Sequence, residues 1–535
     1  MYVVVTMIES TANYLLVYHI SFTMLALLVL LVAVCLPCIV SRFSVFKCTG
    51  ISTASAPPSY PIIGCLTAYY RNRRRLLDWY TDLLSSSPSQ TTVIKRMGAR
   101  RVVITANPDS VEYILKTNFA NFPKGKPFSD LLGDLLGRGI FNTDGELWSA
   151  QRKLASHEFN VSTLKEFVVS TLHELVDNRL LPLMEEAAVK GVVLDLQEVL
   201  RRFAFDSACK VLLGIDSSSL DVSKPVPKLV KAFDEASTIC ARRGVASMQL
   251  VWKLKRFLNV GEERKLKEAV KLVHDSVLEI IKTKKMAREK SRTEKGSSSR
   301  YGSDLLSRLL SVDQEEEVIR DMVISFIMAG RDTTSSAMTW LFWLLSYHQD
   351  VQDAVVKETQ AALMLNAKHS GQTNPLNFEV LKEMNYLKAC LCESMRLYPP
   401  VAWDSKHALN DDVLPDGTFV RKGDRVTYFP YGMGRMETLW GKDRLEFQPN
   451  RWLADSGSVR VLKPISPYKF PVFQAGPRVC LGREMAFIQM KYVVASILRR
   501  FRLKPTAGDQ NHPLFVPLLT SQMAGGFKIT VHFRE

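Results

Sequence analysis

The sequence predicts a mainly α-helical protein with small β-sheets, carried behind a single membrane-crossing helix at its N-terminus. Three observations lead there. From about residue 108 onwards apolar side chains recur at helical spacing over most of the chain. Runs rich in β-branched residues at 91–94 and 101–105 flank Met97-Gly98-Ala99 as the arms of a hairpin, and β-type segments return at 413–428 and 526–533. No formally charged residue stands between Glu9 and Arg42, and residues 22–40 are almost wholly apolar. At about 1.5 Å per residue that run is long enough to cross a hydrocarbon core of about 30 Å.

Taken in order, residues 1–50 read as a membrane anchor. A cleaved signal peptide would need a basic segment before the apolar run and a small-residue cleavage site after it. Here the charge before the run is Glu9, whereas Arg42, Lys47 and the arginines at 71, 73, 74 and 75 follow it. The excess of basic residues on that side places everything after residue 42 in the cytosol. Residues 51–65 contain Ala56-Pro-Pro-Ser-Tyr-Pro-Ile-Ile-Gly64, whose prolines stiffen the backbone and stop the helix, so they read as a hinge. The arginines beyond it form either a solvated helix face or a lipid contact. Residues 66–535 form the globular body. Within it, residues 282–300 are so rich in Lys, Arg, Glu and Ser that a mobile surface connection is expected.

The chain of 535 residues, 47% of them hydrophobic, is long enough to bury a large core. Its nine cysteines are odd in number and show no disulfide spacing, which fits a reducing compartment. Cys35 and Cys38 lie in the apolar run without a second ligand pair and read as small hydrophobes. The formal net charge of +16 is spread along the chain without a nucleic-acid-binding signature. Membrane headgroups and an acidic protein partner are the expected counter-charges, and nucleic acid is not.

Four groups of residues carry chemistry. Cys480 follows Gly476 and Arg478 and precedes Gly482, a spacing that permits a tight turn aiming backbone N–H groups at a metal-bound thiolate. A buried free cysteine is the plainer alternative. In the helix expected over 318–347, Ala329-Gly-Arg-Asp332-Thr333-Thr interrupts an apolar pattern. A threonine competing for a backbone carbonyl there lets the helix open locally and pass protons, although such patches also serve structure alone. Glu393 and Arg396 share a helix face, which on a surface would contribute only tenths of a kcal/mol. Trp148 and Arg152, one helical turn apart, can face the same ligand.

The pattern Phe473-x-x-Gly476-x-Arg478-x-Cys480-x-Gly482, with an apolar helix following, resembles the haem-binding loop of the cytochromes P450. The remaining motifs stand in that family's order from about residue 56 to the C-terminus. The resemblance implies the cytochrome P450 fold and a haem b whose iron is ligated by the Cys480 thiolate, with Phe473 and Gly476 shaping the loop. It implies Thr333 and Asp332 as the alcohol and acid that deliver protons. Trp148, Arg152, Arg478 and Lys406 match positions that hold the haem propionates; many relatives carry Arg at the last. Glu393, Arg396 and Arg451 match a buried triad bracing the loop. The family further implies electrons from NADPH through NADPH-cytochrome P450 reductase, a small-molecule substrate and an endoplasmic reticulum membrane location.

Residues 141–159, Arg396-Leu-Tyr-Pro-Pro-Val-Ala-Trp-Asp-Ser-Lys-His407 and Pro430-Tyr-Gly-Met-Gly-Arg-Met436 resemble the plant fatty-acyl ω-hydroxylase clan. The subgroup they most resemble oxidises free fatty acids or jasmonoyl-isoleucine at the chain end. By that resemblance, residues 122–136, 224–250, 401–403 and 518–523 contact substrate. Two other classes stay open: a haem-thiolate isomerase or dehydratase of fatty-acid hydroperoxides, which usually lacks the intact acid-alcohol helix, and a non-catalytic haem sensor, which has no use for it.

Overall fold

The computed structural model describes residues 56–535 apart from 61–62, 97–99, 161, 222–224, 247–248, 295–303, 312–313, 371–375, 455–459 and 507–512. The expected anchor and the first part of the expected hinge lie outside the described residues. Among the described residues no helix is long and apolar enough to cross a membrane.

Seven helices and one sheet position the site: α1 (Gly145–Asn160), α2 (Leu196–Ala208), α3 (Lys228–Val245), α4 (Glu262–Glu294), α5 (Glu316–Tyr347), α6 (Asn385–Leu397) and α7 (Arg483–Arg500). Helix α5 runs through the core against α2, α6 and α7. Its second half is buried on nearly every side, and Trp340 at its centre stacks on Tyr398 with ring centroids 4.1 Å apart. The hydroxyls within it are satisfied by back-bonding one turn earlier: Ser325 donates to Asp321 O at 2.7 Å, Ser335 to Arg331 O at 2.9 Å and Thr339 to Ser335 O at 2.8 Å. These three hydroxyls therefore cross the core paired, whereas Arg331 Nε and Trp340 Nε1 on the same helix are buried without a hydrogen-bond partner.

The main sheet contains β1 (Thr91–Arg96), β2 (Arg100–Thr105), β3 (Asp404–His407) and β4 (Arg425–Tyr428) in the order β1-β2-β4-β3. The expected hairpin of β1 and β2 is antiparallel, β4 joins β2 in parallel, and β3 closes the other edge antiparallel to β4. Val102 pairs with Arg425, Ile104 with Thr427, Asp404 with Tyr428 and Lys406 with Val426. Successive side chains alternate between faces, so Arg425, Thr427 and Ser405 lie on one face and Asp404, Lys406 and Tyr428 on the other. A second sheet pairs Phe501–Pro505 with Lys528–Phe533, which in turn pairs with Leu194–Asp195.

One expectation is corrected. Residues 282–294 are not a loose connection but the last turns of α4, because Lys, Arg and Glu are good helix formers and need not pack to extend a helix. Lys284 reaches Asp304 at 2.6 Å and Lys285 reaches Glu316 at 2.6 Å, which ties that end down.

Candidate active site

The Cys480 loop is built from two short 3₁₀ turns, Pro471–Phe473 and Gly476–Arg478, closed by the Cys480 N–H donating to Phe473 O at 2.8 Å. Phe473 itself packs on Phe487 of α7, ring centroids 5.2 Å apart. Gly476 has φ +64°, and a Cβ there would run into the carbonyl of Leu115, which lies in the π-turn Tyr113–Thr117. Only glycine both accepts that backbone and lets the two segments touch. Gln474 has φ +61° and ψ −178°, a region otherwise left almost entirely to glycine.

Cys480 is exposed, whereas Cys65, Cys209, Cys240, Cys390 and Cys392 are buried. The Cys480 thiol is open on one side and enclosed by protein on the others. That enclosure pushes its pKa up, with the Gly482 N–H and the cations of Arg152 and Arg483 partly offsetting it. The protein alone does not favour the thiolate; a bound metal would.

Around the loop the structure gathers the expected cations. Arg478 donates to Asp144 Oδ1 at 2.6 Å and Thr143 O at 2.9 Å, and its guanidinium lies 4.4 Å from the Trp148 ring centre. Its Nε is buried without a partner. Arg152 is half-buried one turn along α1 from Trp148, within electrostatic reach of Cys480. A one-sided thiol, an orphaned guanidinium N–H and a second arginine beside the sulfur suit an anionic iron porphyrin.

Lys406 is placed differently from the simple expectation. It is wholly buried, 3.1 Å from Asp404 Oδ2, and burial lowers its pKa to about 7. Asp404 also accepts from Lys124 at 2.6 Å, Tyr428 at 3.0 Å and the Gln474 side-chain amide at 2.6 Å. One carboxylate thus serves two lysines. Sequence reading missed this cluster because Lys124 lies 280 positions from Asp404 and no local pattern marks it.

On α5, Thr333 donates to Ala329 O at 2.5 Å, so its hydroxyl does compete for a helix carbonyl. The helix nevertheless continues without a break, contrary to the expected local opening, because one carbonyl oxygen has room for two donors. Burial raises the Asp332 pKa, opposed by Arg331 and Arg201. Arg331 is buried against Asp234 of α3, with its Nε 3.5 Å from Asp332. Nothing in the sequence pointed to Asp234.

Glu393, Arg396 and Arg451 meet. Glu393 and Arg396 are almost wholly buried and form two parallel bonds of 2.7 and 2.8 Å, and Arg451 Nε lies 3.2 Å from Glu393. Trp452 Nε1 and the Gln448 N–H also donate to Glu393, at 2.8 and 3.0 Å. Arg396 spends its remaining donors on the carbonyls of Gly434, Arg444 and Glu446. The ion pair is therefore fully hydrogen-bonded, the condition under which a buried pair is tolerated.

A mainly helical body, a one-sided cysteine loop and arginines around it define the class of haem-thiolate enzymes. The chain belongs to the cytochrome P450 family, which it matches over residues 55–530. It is 59% identical over 487 residues to cytochrome P450 94B1 of Arabidopsis thaliana, covering 90% of this chain and 92% of that one. It is 57% identical over 486 residues to cytochrome P450 94B3 of the same plant, covering 90% and 93%. The crystal structure of the cytochrome P450DA heme domain shares its fold, with a TM-score of 0.72 at 20% identity over 90% of this chain and 97% of that one. The chain is accordingly a monooxygenase that works with a cysteine-ligated haem and electrons passed from NADPH by a reductase.

Proposed function

We propose that this chain hydroxylates the ω carbon of jasmonoyl-isoleucine, with free medium- and long-chain fatty acids as the alternative substrates. The observation that carries this reading is the stretch Pro400-Val-Ala-Trp403-Asp-Ser-Lys-His407, in a chain whose relatives belong to the 94 series. Residues 1–50 would anchor the enzyme in the endoplasmic reticulum membrane, leaving residues 66–535 in the cytosol beside NADPH-cytochrome P450 reductase.

Cys480 would ligate the iron, and the haem, when bound, supplies activation of O₂ for insertion into a C–H bond. Trp148, Arg152 and Arg478 would hold the propionates, Arg478 with the Nε that has no protein partner. Lys406 would add charge from behind Asp404. Phe473 and Gly476 fix the loop on α7 and on Leu115, and Glu393, Arg396 and Arg451 would brace it through Trp452, which donates to Glu393 and packs on Phe470. Asp332, whose raised pKa suits it to carry a proton, and Thr333 would deliver protons on the substrate side. Terminal methyl C–H bonds are stronger than those of internal methylenes, so the pocket must restrict which end of the substrate approaches.

The test is a comparison of kcat/KM for jasmonoyl-isoleucine and a mid-length saturated fatty acid, with reductase and NADPH, and product identification at the ω carbon. A higher value for the conjugate is expected, because its amide offers partners that a linear acid lacks. A higher value for the fatty acid moves the function to the alternative. Turnover of a fatty-acid hydroperoxide without NADPH would replace both with the isomerase class.

A further inference from the structure

The face of the main sheet opposite Asp404 and Lys406 lines a cavity. Arg96 at the end of β1 and Arg425 and Thr427 of β4 point into it, and Tyr80, Trp403 and Phe429 wall it. The three aromatic rings pack on one another at centroid distances of 6.2 to 6.5 Å. No acidic residue lines the cavity, and neither arginine has a carboxylate partner among the described residues. Arg425 gives its Nε to Ser405 at 2.9 Å, and burial together with the neighbouring Arg96 lowers its pKa to about 10, so it stays cationic.

Two guanidiniums that face one aromatic cavity repel each other until an anion sits between them. Arginine forks suit a carboxylate in particular, and the aromatic wall suits an apolar chain leading away from it. The wall includes Trp403, the residue before Asp404, whose carboxylate on the other face binds Gln474 of the Cys480 loop. Gly244 of α3 lies at the same cavity. Two of the stretches expected to contact substrate, 224–250 and 401–403, therefore meet here.

We infer that Arg96 and Arg425 form the docking site for the carboxylate of an acyl or acyl-amino-acid substrate, holding the acid end so that the opposite end is presented for oxidation. This rests on the ω-hydroxylase reading and adds to it the residues that hold the far end of the substrate. Free fatty acids and acyl-amino-acid conjugates share this carboxylate, and the test includes both.

The experiment titrates full-length, haem-loaded enzyme in neutral detergent, following the substrate-induced shift of the Soret band. The probes are dodecanoic acid, jasmonoyl-isoleucine and the methyl ester of each. Wild type is expected to bind each acid about tenfold or more tightly than its ester, because the ester leaves the arginines unpaired. Arg96→Gln is expected to bring that acid-over-ester ratio close to one, and Arg96→Lys to restore part of it. Arg425→Lys, which keeps a cation and avoids emptying the sheet, should lower the ratio through loss of the fork. Lys95→Gln, on the exposed side of the same strand, is the control and keeps the wild-type ratio. A ratio unchanged in Arg96→Gln, or acid and ester weakened equally, overturns the site. Product analysis on wild type is read separately: oxidation away from the ω carbon defeats the functional reading, whereas the ratio still reports on the arginines.

Discussion

The side chain of Gln474 holds Asp404 at 2.6 Å while its own backbone occupies a conformation that disfavours every residue but glycine. A single hydrogen bond thus fastens the cysteine loop to strand β3 at the loop's most strained point. Gln474→Ala loses the bond and keeps the strain, whereas Gln474→Gly loses the bond and relieves it. The glycine variant is expected to be more stable than the alanine variant by roughly 1 kcal/mol. Thermal unfolding of the haem-loaded proteins measures this, and equal Tm values would mean that the backbone at Gln474 is not strained.

Thr333→Ala should bind haem and substrate much as wild type does, since a lost back-bond to Ala329 costs a helix little. Product formed per NADPH consumed should nevertheless fall, on the order of tenfold, as proton delivery fails. A ratio at the wild-type level removes Thr333 from the relay.

Glu393→Gln leaves Arg396 and Arg451 without their carboxylate in a buried position. Removing one member of such a cluster costs about 3 to 5 kcal/mol. The variant is expected to yield little haem-loaded protein and to melt earlier, both read from the carbon monoxide difference spectrum during heating. Wild-type yield and melting would show that hydrogen bonds to carbonyls, not the ion pair, hold the region.

Lys491 on α7 is buried, donates to Leu381 O at 2.7 Å, and has its pKa lowered from 10.5 to about 8 by burial and by Lys388. Between pH 8 and 10.5 the unfolded chain holds this proton and the folded one does not, so stability rises with pH across that window. Below it the penalty, roughly 3 kcal/mol, is fully present. Lys491→Met is expected to melt higher than wild type at pH 7 and to lose this component of the alkaline rise. Parallel Tm-versus-pH curves for the two proteins would refute the assignment.

The sequence made the local parts of this molecule legible. Period-3.6 patterning located α5 to within two residues, and β-branched runs around a glycine located the β1–β2 hairpin. The loop around Cys480 was readable because its glycines, arginine and cysteine are close in sequence. Two of the polar clusters were not, although Glu393, Arg396 and Arg451 stand in recognisable motifs and do meet. Asp404 collects Lys124 and Gln474 from far along the chain, and Arg331 finds Asp234 across a helix interface. Residues 282–294 misled in the opposite sense: their polarity suggested disorder where helix propensity prevailed.

Strand β3 serves two compartments with alternate residues, Ser405 towards the arginine cavity and Asp404 and Lys406 towards the cysteine loop. An inserted or deleted residue between Trp403 and His407 would exchange the two sets, placing a carboxylate among the arginines and stripping the lysine-bound hub from the loop. Chain length here is therefore fixed by the alternation of the strand, and variation in the segment has to come from exchanging side chains such as Trp403 rather than from lengthening it. Libraries that diversify the region should keep its length and vary only the side chains facing the cavity.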